Sequence, residues 1–145
     1  MSILELCDEH PAAVFSDFTV AEAIQAMIAH RVGAVAVVDA ENRVVGIFTE
    51  RDVMKRLALS GRDPERTPVS AFMTSPVETI TSHTGRGDAF AKMMGDHLRH
   101  LPIVDAAGKL LGILSLRNLL QAQVEELRQQ LDSMEQYITN DALGG

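Results

Sequence analysis

The chain carries a single cysteine, Cys7, so an intramolecular disulfide is excluded and a reducing compartment is expected. A nucleophilic role would need a positioned base beside that thiol, and no such arrangement is legible, so Cys7 reads as an ordinary thiol. No apolar run approaches the roughly 20 residues that a bilayer-spanning helix requires. The opening "MSILELCDEHP" has neither the basic start nor the long apolar stretch of a secretory signal, and the expectation is a cytoplasmic protein. Clustered Lys and Arg are missing too. Against 20 acidic residues stand 13 basic ones, a formal charge of −7 that opposes contact with nucleic acid or an anionic membrane. No carboxylate pair or Ser-His-Asp set stands out, so no enzyme is expected. His97, His100 and the upstream His83 lack the Cys or carboxylate that would complete a metal-ligand spacing. "GRGD" at residues 85–88 lacks the glycine spacing and the Lys of a phosphate loop and reads as a loose helix start.

What is present is repetition. The 145 residues are 46 % apolar, enough for a packed core within one compact module. Setting each position beside the one 66 later aligns "AEAIQAMIAHRVGAVAVVDAENRVVGIFTERDVMKRL" with "GDAFAKMMGDHLRHLPIVDAAGKLLGILSLRNLLQAQ" without a gap. Identities fall at Ala23/Ala89, Met27/Met93, Val38/Val104, Asp39/Asp105, Gly46/Gly112, Ile47/Ile113 and Arg51/Arg117, among others. Two copies are too few for a solenoid, which leaves a pair packed about a pseudo-twofold axis.

Within each copy the pattern is the same. Val20, Ala23, Ile24, Met27 and Ile28 have helical spacing, opened by a Thr19/Glu22 capping box. Phe90, Met93, Met94 and His97 continue that face in copy two, where Gly85 and Gly87 soften the start. The methionines at 27, 54, 93 and 94 sit at core-like spacings. Two short apolar runs across the polar turns "AENR" and "AAGK" predict a strand pair per copy. The run Val32–Val38 predicts a strand covered on both faces. Pro102 removes a ladder donor, which favours an edge strand or a strand beginning there. Short leading strands are expected near 13–15 and 77–80. "SGRDPERTP" reads as a surface connection. The boundaries are 1–62 for the first copy, 63–122 for the second and 123–145 for a helical extension.

Each copy ends in a strand-to-helix corner: "GIFTERD" at 46–52 and "GILSLRN" at 112–118. Thr49 with Asp52, and Ser115 with Asn118, can act simply as helix caps. The same corner exposes unpaired first-turn amides beside a hydroxyl, which suits a phosphate, with a short acid or amide that suits ribose hydroxyls. Beyond it, Leu120, Val124, Leu127, Leu131, Met134 and Ile138 are spaced 4, 3, 4, 3, 4, a coiled-coil seam. That stripe must pack on its own domain or on another chain, and pairing between subunits is the expectation. "TNDALGG" is expected to fray.

The duplicated unit, the "VVD" and "IVD" turns and the two G-h-h-[ST]-x-x-[DN] corners resemble a tandem pair of cystathionine β-synthase (CBS) domains, a Bateman module, over roughly residues 10–122. The resemblance implies an α/β (α+β) fold of two β-α-β-β-α repeats. It also implies a regulatory adenine-nucleotide sensor, binding AMP, ADP, ATP or S-adenosylmethionine in clefts between the copies and acting on a partner. The alternative is a ligand-free interaction or dimerisation module. By that resemblance the site draws on Ile47, Thr49, Arg51 and Asp52 of the first corner and Ile113, Ser115, Arg117 and Asn118 of the second. The same resemblance implies that Thr79 lines the purine pocket and that Arg99 and His100 are the cationic phosphate contacts. Gly33 and Ala34, their counterparts, offer no charge. Asn118 lacks the charge-assisted strength of Asp52, so the two clefts are expected to be unequal. No cofactor is expected to be required, and the assembly is expected to be a homodimer.

Overall fold

A computed structural model describes residues 2–7 and 11–144. Two three-stranded sheets carry the fold, with helices packed on them. The first copy runs β1 (Ala13–Phe15), α1 (Val20–His30), β2 (Ala34–Val38) and β3 (Val44–Thr49), then a one-turn helix α2 (Glu50–Asp52) that continues as a π turn, Val53–Leu57. The second runs β4 (Ile80–Thr81), α3 (Arg86–Gly95), β5 (His100–Val104), β6 (Leu110–Ser115) and the long α4 (Leu116–Gly144). Only Gly145 of the "TNDALGG" tail lies outside the described residues; the helix does not stop before it.

In both sheets the leading strand pairs in parallel with the central one, which pairs antiparallel with the third. The copies correspond in detail. A register shift falls between Val37 and Val38 in one sheet and between Ile103 and Val104 in the other. Asp39 Oδ1 accepts from the amides of Glu41 and Arg43, and Asp105 Oδ1 from those of Ala107 and Lys109, all at 2.9 Å. These turns carry positive φ at Asn42 (64°) and Gly108 (81°), residue types that tolerate it.

The pseudo-twofold axis runs between those turns. Arg43 bridges its own counterpart Lys109, flanked by Val44 N–H to Gly108 O and Leu110 N–H to Asn42 O, both 3.0 Å. Ala36, Val38 and Leu110 bury a small apolar cluster there. The two main cores lie on either side. One gathers Val14, Val20, Met27, Val35 and Phe48; the other Ile80, Met93, Leu101, Ile103 and Leu114.

The leading segments are exchanged. Ile3, in the 3₁₀ turn Ile3–Leu6, is buried in the second core, whereas its counterpart Val69, in the turn Val69–Ala71, is buried in the first. The connection also belongs to the first copy: Thr67 O and Pro64 O accept from the first amides of α1, and Thr67 is buried.

Several expectations need correction. The second leading strand is Ile80–Thr81 rather than residues 77–80, and Pro102 lies inside the central strand rather than at an edge or a strand start. The two facts have one cause. Ala36 N–H donates to Ala12 O, but its counterpart Pro102 has no N–H to offer Glu78, so β4 begins later than β1. Met27 and Met93 fill the cores, while Met54 and Met94 are exposed, as is Ile28. The buried stripe of α1 is therefore narrower than its apolar spacing suggests. Val32 precedes β2, whose five residues are buried on both faces as expected.

Candidate functional site

Each strand-to-helix corner forms a cap. Thr49 Oγ1 accepts from the Asp52 amide at 3.3 Å, and Asp52 Oδ2 accepts from Thr49 N–H at 3.0 Å. Asp52 is buried, and its Oδ1 faces Arg56 Nε at 3.7 Å. Arg56 in turn donates to Phe72 O and Met73 O, each 3.2 Å away, and so ties the exchanged segment to the first corner.

The second corner solves the same problem differently. Ser115 Oγ accepts from the Asn118 amide at 3.0 Å, but the Asn118 side chain donates through Nδ2 to Leu6 O at 3.1 Å. Leu6 is the counterpart of Phe72, and the counterpart of Arg56 is Ala122. Without the arginine, the amide must supply the donor for that carbonyl itself; a carboxylate would face it acceptor to acceptor. Asn118 thus has a structural cause in Ala122.

Between the copies lies a cleft of about 1480 Å³. Its floor is made by the corner Ser115–Asn118, by Ile113, and by the approach to both central strands: Gly33 and Ala34 on one side, Arg99 and His100 on the other. Its sides are α1, through Ile24, Met27 and Ile28, and α4, through Leu120, Val124 and Arg128. At Gly33 the first copy comes close to His100 of the second. A Cβ there would stand 3.0 Å from Glu50 Oε1 and 3.4 Å from His100 Cε1, so a larger residue would force those two side chains aside.

The cleft is cationic although the chain is acidic. Arg31, Arg99, Arg117 and Arg128 line it, against Glu50 and Glu125. His100 adds no charge at neutral pH. Burial lowers its pKa below the ordinary 6.5, Glu50 counteracts this in part and Arg99 reinforces it. An anionic group entering would therefore meet arginine charge and a neutral imidazole.

Of the residues singled out in the sequence, Arg99, His100, Ile113, Ser115, Arg117 and Asn118 come together in this cleft. Ile47, Thr49, Arg51, Asp52 and Thr79 are not among its walls. Ile47 exchanges backbone hydrogen bonds with Thr74, and Thr79 O accepts from Lys92 Nζ at 3.5 Å. The sequence reading missed Arg31, Glu50 and Arg128. Arg31 holds the left-handed cap of α1 (φ 55°), and Arg128 sits in what reads as a coiled-coil flank. No spacing marks either as a cleft residue. Among the described residues no group of three or more His, Cys, Asp or Glu is placed to hold a metal ion.

Comparison with known proteins puts a family to this arrangement. The sequence profile of the CBS domain matches residues 3–59 and again 69–125. A 17.7 kDa protein of Acidianus ambivalens is 45 % identical over 107 residues, covering 74 % of this chain and 63 % of its own length. A second relative, from Methanopyrus kandleri, is 32 % identical over 72 % of this chain and 54 % of its own, so the chain spans between half and two thirds of both. Among solved structures, a protein with CBS domains from Burkholderia ambifaria superposes with a TM-score of 0.78 at 29 % identity, covering 86 % of this chain and 95 % of that one. A CBS domain protein from Pyrobaculum aerophilum, solved in complex with AMP, gives 0.77 at 26 % identity, covering 89 % and 99 %.

Proposed function

Because this chain belongs to the CBS domain family and carries two copies of the domain, we propose that it is a regulatory, non-catalytic sensor whose inter-copy cleft binds an adenosine compound. AMP, ADP, ATP and S-adenosylmethionine are the candidate ligands, and the occupied state is passed to a partner protein. The observation that carries this reading is the cleft itself. It sets the helix-opening corner Ser115–Asn118, with its hydroxyl and carboxamide, against Arg99, Arg117 and Arg31 at the meeting of the two copies. Such a corner with arginines beside it has the chemistry for a phosphate and a ribose. The AMP complex of the Pyrobaculum relative supports an adenosine ligand.

Binding there would act by difference. A ligand bridging elements of both copies favours the arrangement in which they are close, and α4, which forms one wall, is the element placed to report it. The site at the first corner, around Thr49 and Asp52 with Ile47, Arg51 and Thr79, is the second candidate. The protein would work as a cytoplasmic homodimer, without nucleic acid or membrane.

One observation favours a ligand-free interaction module instead: both corner side chains are already engaged, Asp52 by Thr49 and Arg56, Asn118 by Leu6. Calorimetry separates the two. The sensor reading expects saturable binding of at least one of the four compounds, weakened about tenfold or more in Arg99→Ala with the melting temperature retained. No heat at millimolar ligand would leave the interaction module standing.

A further inference from the structure

Helix α4 leaves the body of the molecule. Leu119 is its last residue in the second core, and Arg86 Nη1 holds Glu126 Oε2 at 3.1 Å. From Leu127 to Thr139 every side chain is exposed. The helix nevertheless continues to Gly144, 29 residues in all and about 43 Å at 1.5 Å per residue. Along the exposed part runs the seam: Leu127 is 50 % exposed, Leu131 and Met134 59 %, and Ile138 62 %. A lone helix with such a stripe is marginal in water, so something covers it.

The seam matches itself. In heptad terms Val124, Leu131 and Ile138 take position a, and Leu120, Leu127 and Met134 take position d. β-branched residues at two of three a positions, with leucine at two of three d positions, favour two strands when the helices run parallel. The flanks agree. Position g holds Gln123, Gln130 and Tyr137, and position e holds Gln121, Arg128 and Glu135. In a parallel pair each g faces the e five residues on in the other chain, giving Gln123 with Arg128 and Gln130 with Glu135 and no like charges in contact. An antiparallel pair that keeps all six apolar layers is centred on Gln129 and sets Arg128 beside Arg128 of the other copy, which is repulsive.

We propose that α4 pairs with α4 of a second copy of this chain as a parallel, in-register coiled coil running through Ile138. Leu120, Val124 and Arg128, which line the cleft, then stand at the boundary of the two sites, with Arg128 facing Gln123 of the second copy on its flank. The proposal rests on the dimeric part of the function proposed above and adds the direction and register.

The test is analytical ultracentrifugation of the full chain with two variants. Leu131→Glu, at an exposed position in the monomer, leaves the cores intact, which thermal melting checks. It buries two unpaired carboxylates in the pair and is expected to weaken dimerisation more than about a hundredfold. Met134→Cys in a Cys7→Ser background is expected to form a covalent dimer on mild oxidation. In the antiparallel register position 134 lies opposite 124, about 15 Å along the axis and beyond disulfide reach. A monomeric native chain at 100 μM would remove the dimer and this proposal together. A dimer untouched by Leu131→Glu would keep the dimer and overturn the role of α4. A dimer sensitive to Leu131→Glu, with no cross-link formed by the Met134→Cys variant, would overturn the parallel direction.

Discussion

At the contact between the copies, His100 and Glu50 both come within van der Waals reach of where a Gly33 side chain would be. The His100 ring is kept from protonating chiefly by burial, with Arg99 adding to the effect and Glu50 opposing it. Its folded pKa is lowered, so as pH falls through 6.5 the unfolded chain takes up the proton first, and stability is lost from there down towards the folded value. Urea midpoints should therefore fall more between pH 7 and pH 5 in the native chain than in His100→Gln; equal falls would show that the imidazole is not strained by its surroundings. A second prediction concerns Asn118. Asn118→Asp should cost about 1–3 kcal/mol by turning the Leu6 carbonyl contact from donor–acceptor to acceptor–acceptor. Adding Ala122→Arg should recover much of the loss by rebuilding the Asp52–Arg56 arrangement, and chemical denaturation of the single and double variants measures it. The motif itself was legible, because a hydroxyl three residues before Asp or Asn is a local pattern. The reason for the Asn was not, since it lies in a carbonyl 112 residues away and an absent arginine four residues on.

Among the elements, those set by local rules are the ones readable in advance. The Thr19/Glu22 capping box forms, with Glu22 N–H to Thr19 Oγ1 at 3.1 Å, and α3 opens on Gly85 without a side-chain cap, in keeping with the missing hydroxyl. The paired turns are equally plain, since Asp39 and Asp105 repeat with their spacing. Burial is harder to read. Ile28 and Met94 keep helical spacing with the core face yet are exposed, because Ala23, Ala89, Met27 and Met93 already fill the contact with the sheets. Pro102 misleads for a related reason. Its missing donor reads as a property of β5, but the cost falls on the neighbour, β4, which is shortened while β5 stays central. Pro102→Ala should then restore an amide for Glu78 O and lengthen β4. Hydrogen exchange should find the new amide protected by at least about tenfold over an exposed one, as a formed ladder bond requires. An unprotected amide would mean that β4 is short for some other reason.

The molecule as a whole is held together by reciprocity. The duplication is evident from the 66-residue offset, and with it the pseudo-twofold axis, borne by the matched bonds of Val44 and Leu110. The exchange of leading segments is not evident. Ile3 and Val69 are equivalent apolar residues, and nothing local to either says which core receives it. Gly46 and Gly112 show how close the exchange is: a Cβ at Gly46 would lie 2.5 Å from Met73 Sδ, and one at Gly112 3.1 Å from Cys7 Cβ, each from the segment that begins the other copy. Each core therefore depends on residues outside its own repeat, and neither repeat is complete alone. Ile3→Ala removes a side chain only 2 % exposed and should cost about 2–4 kcal/mol. The loss should appear in the second copy, with faster amide exchange at Leu101 and Leu114, while Val35 and Phe48 of the first core respond less. Val69→Ala should produce the opposite pattern. If Ile3→Ala instead loosened Val35 and Phe48 first, the leading segments would belong to their own repeats.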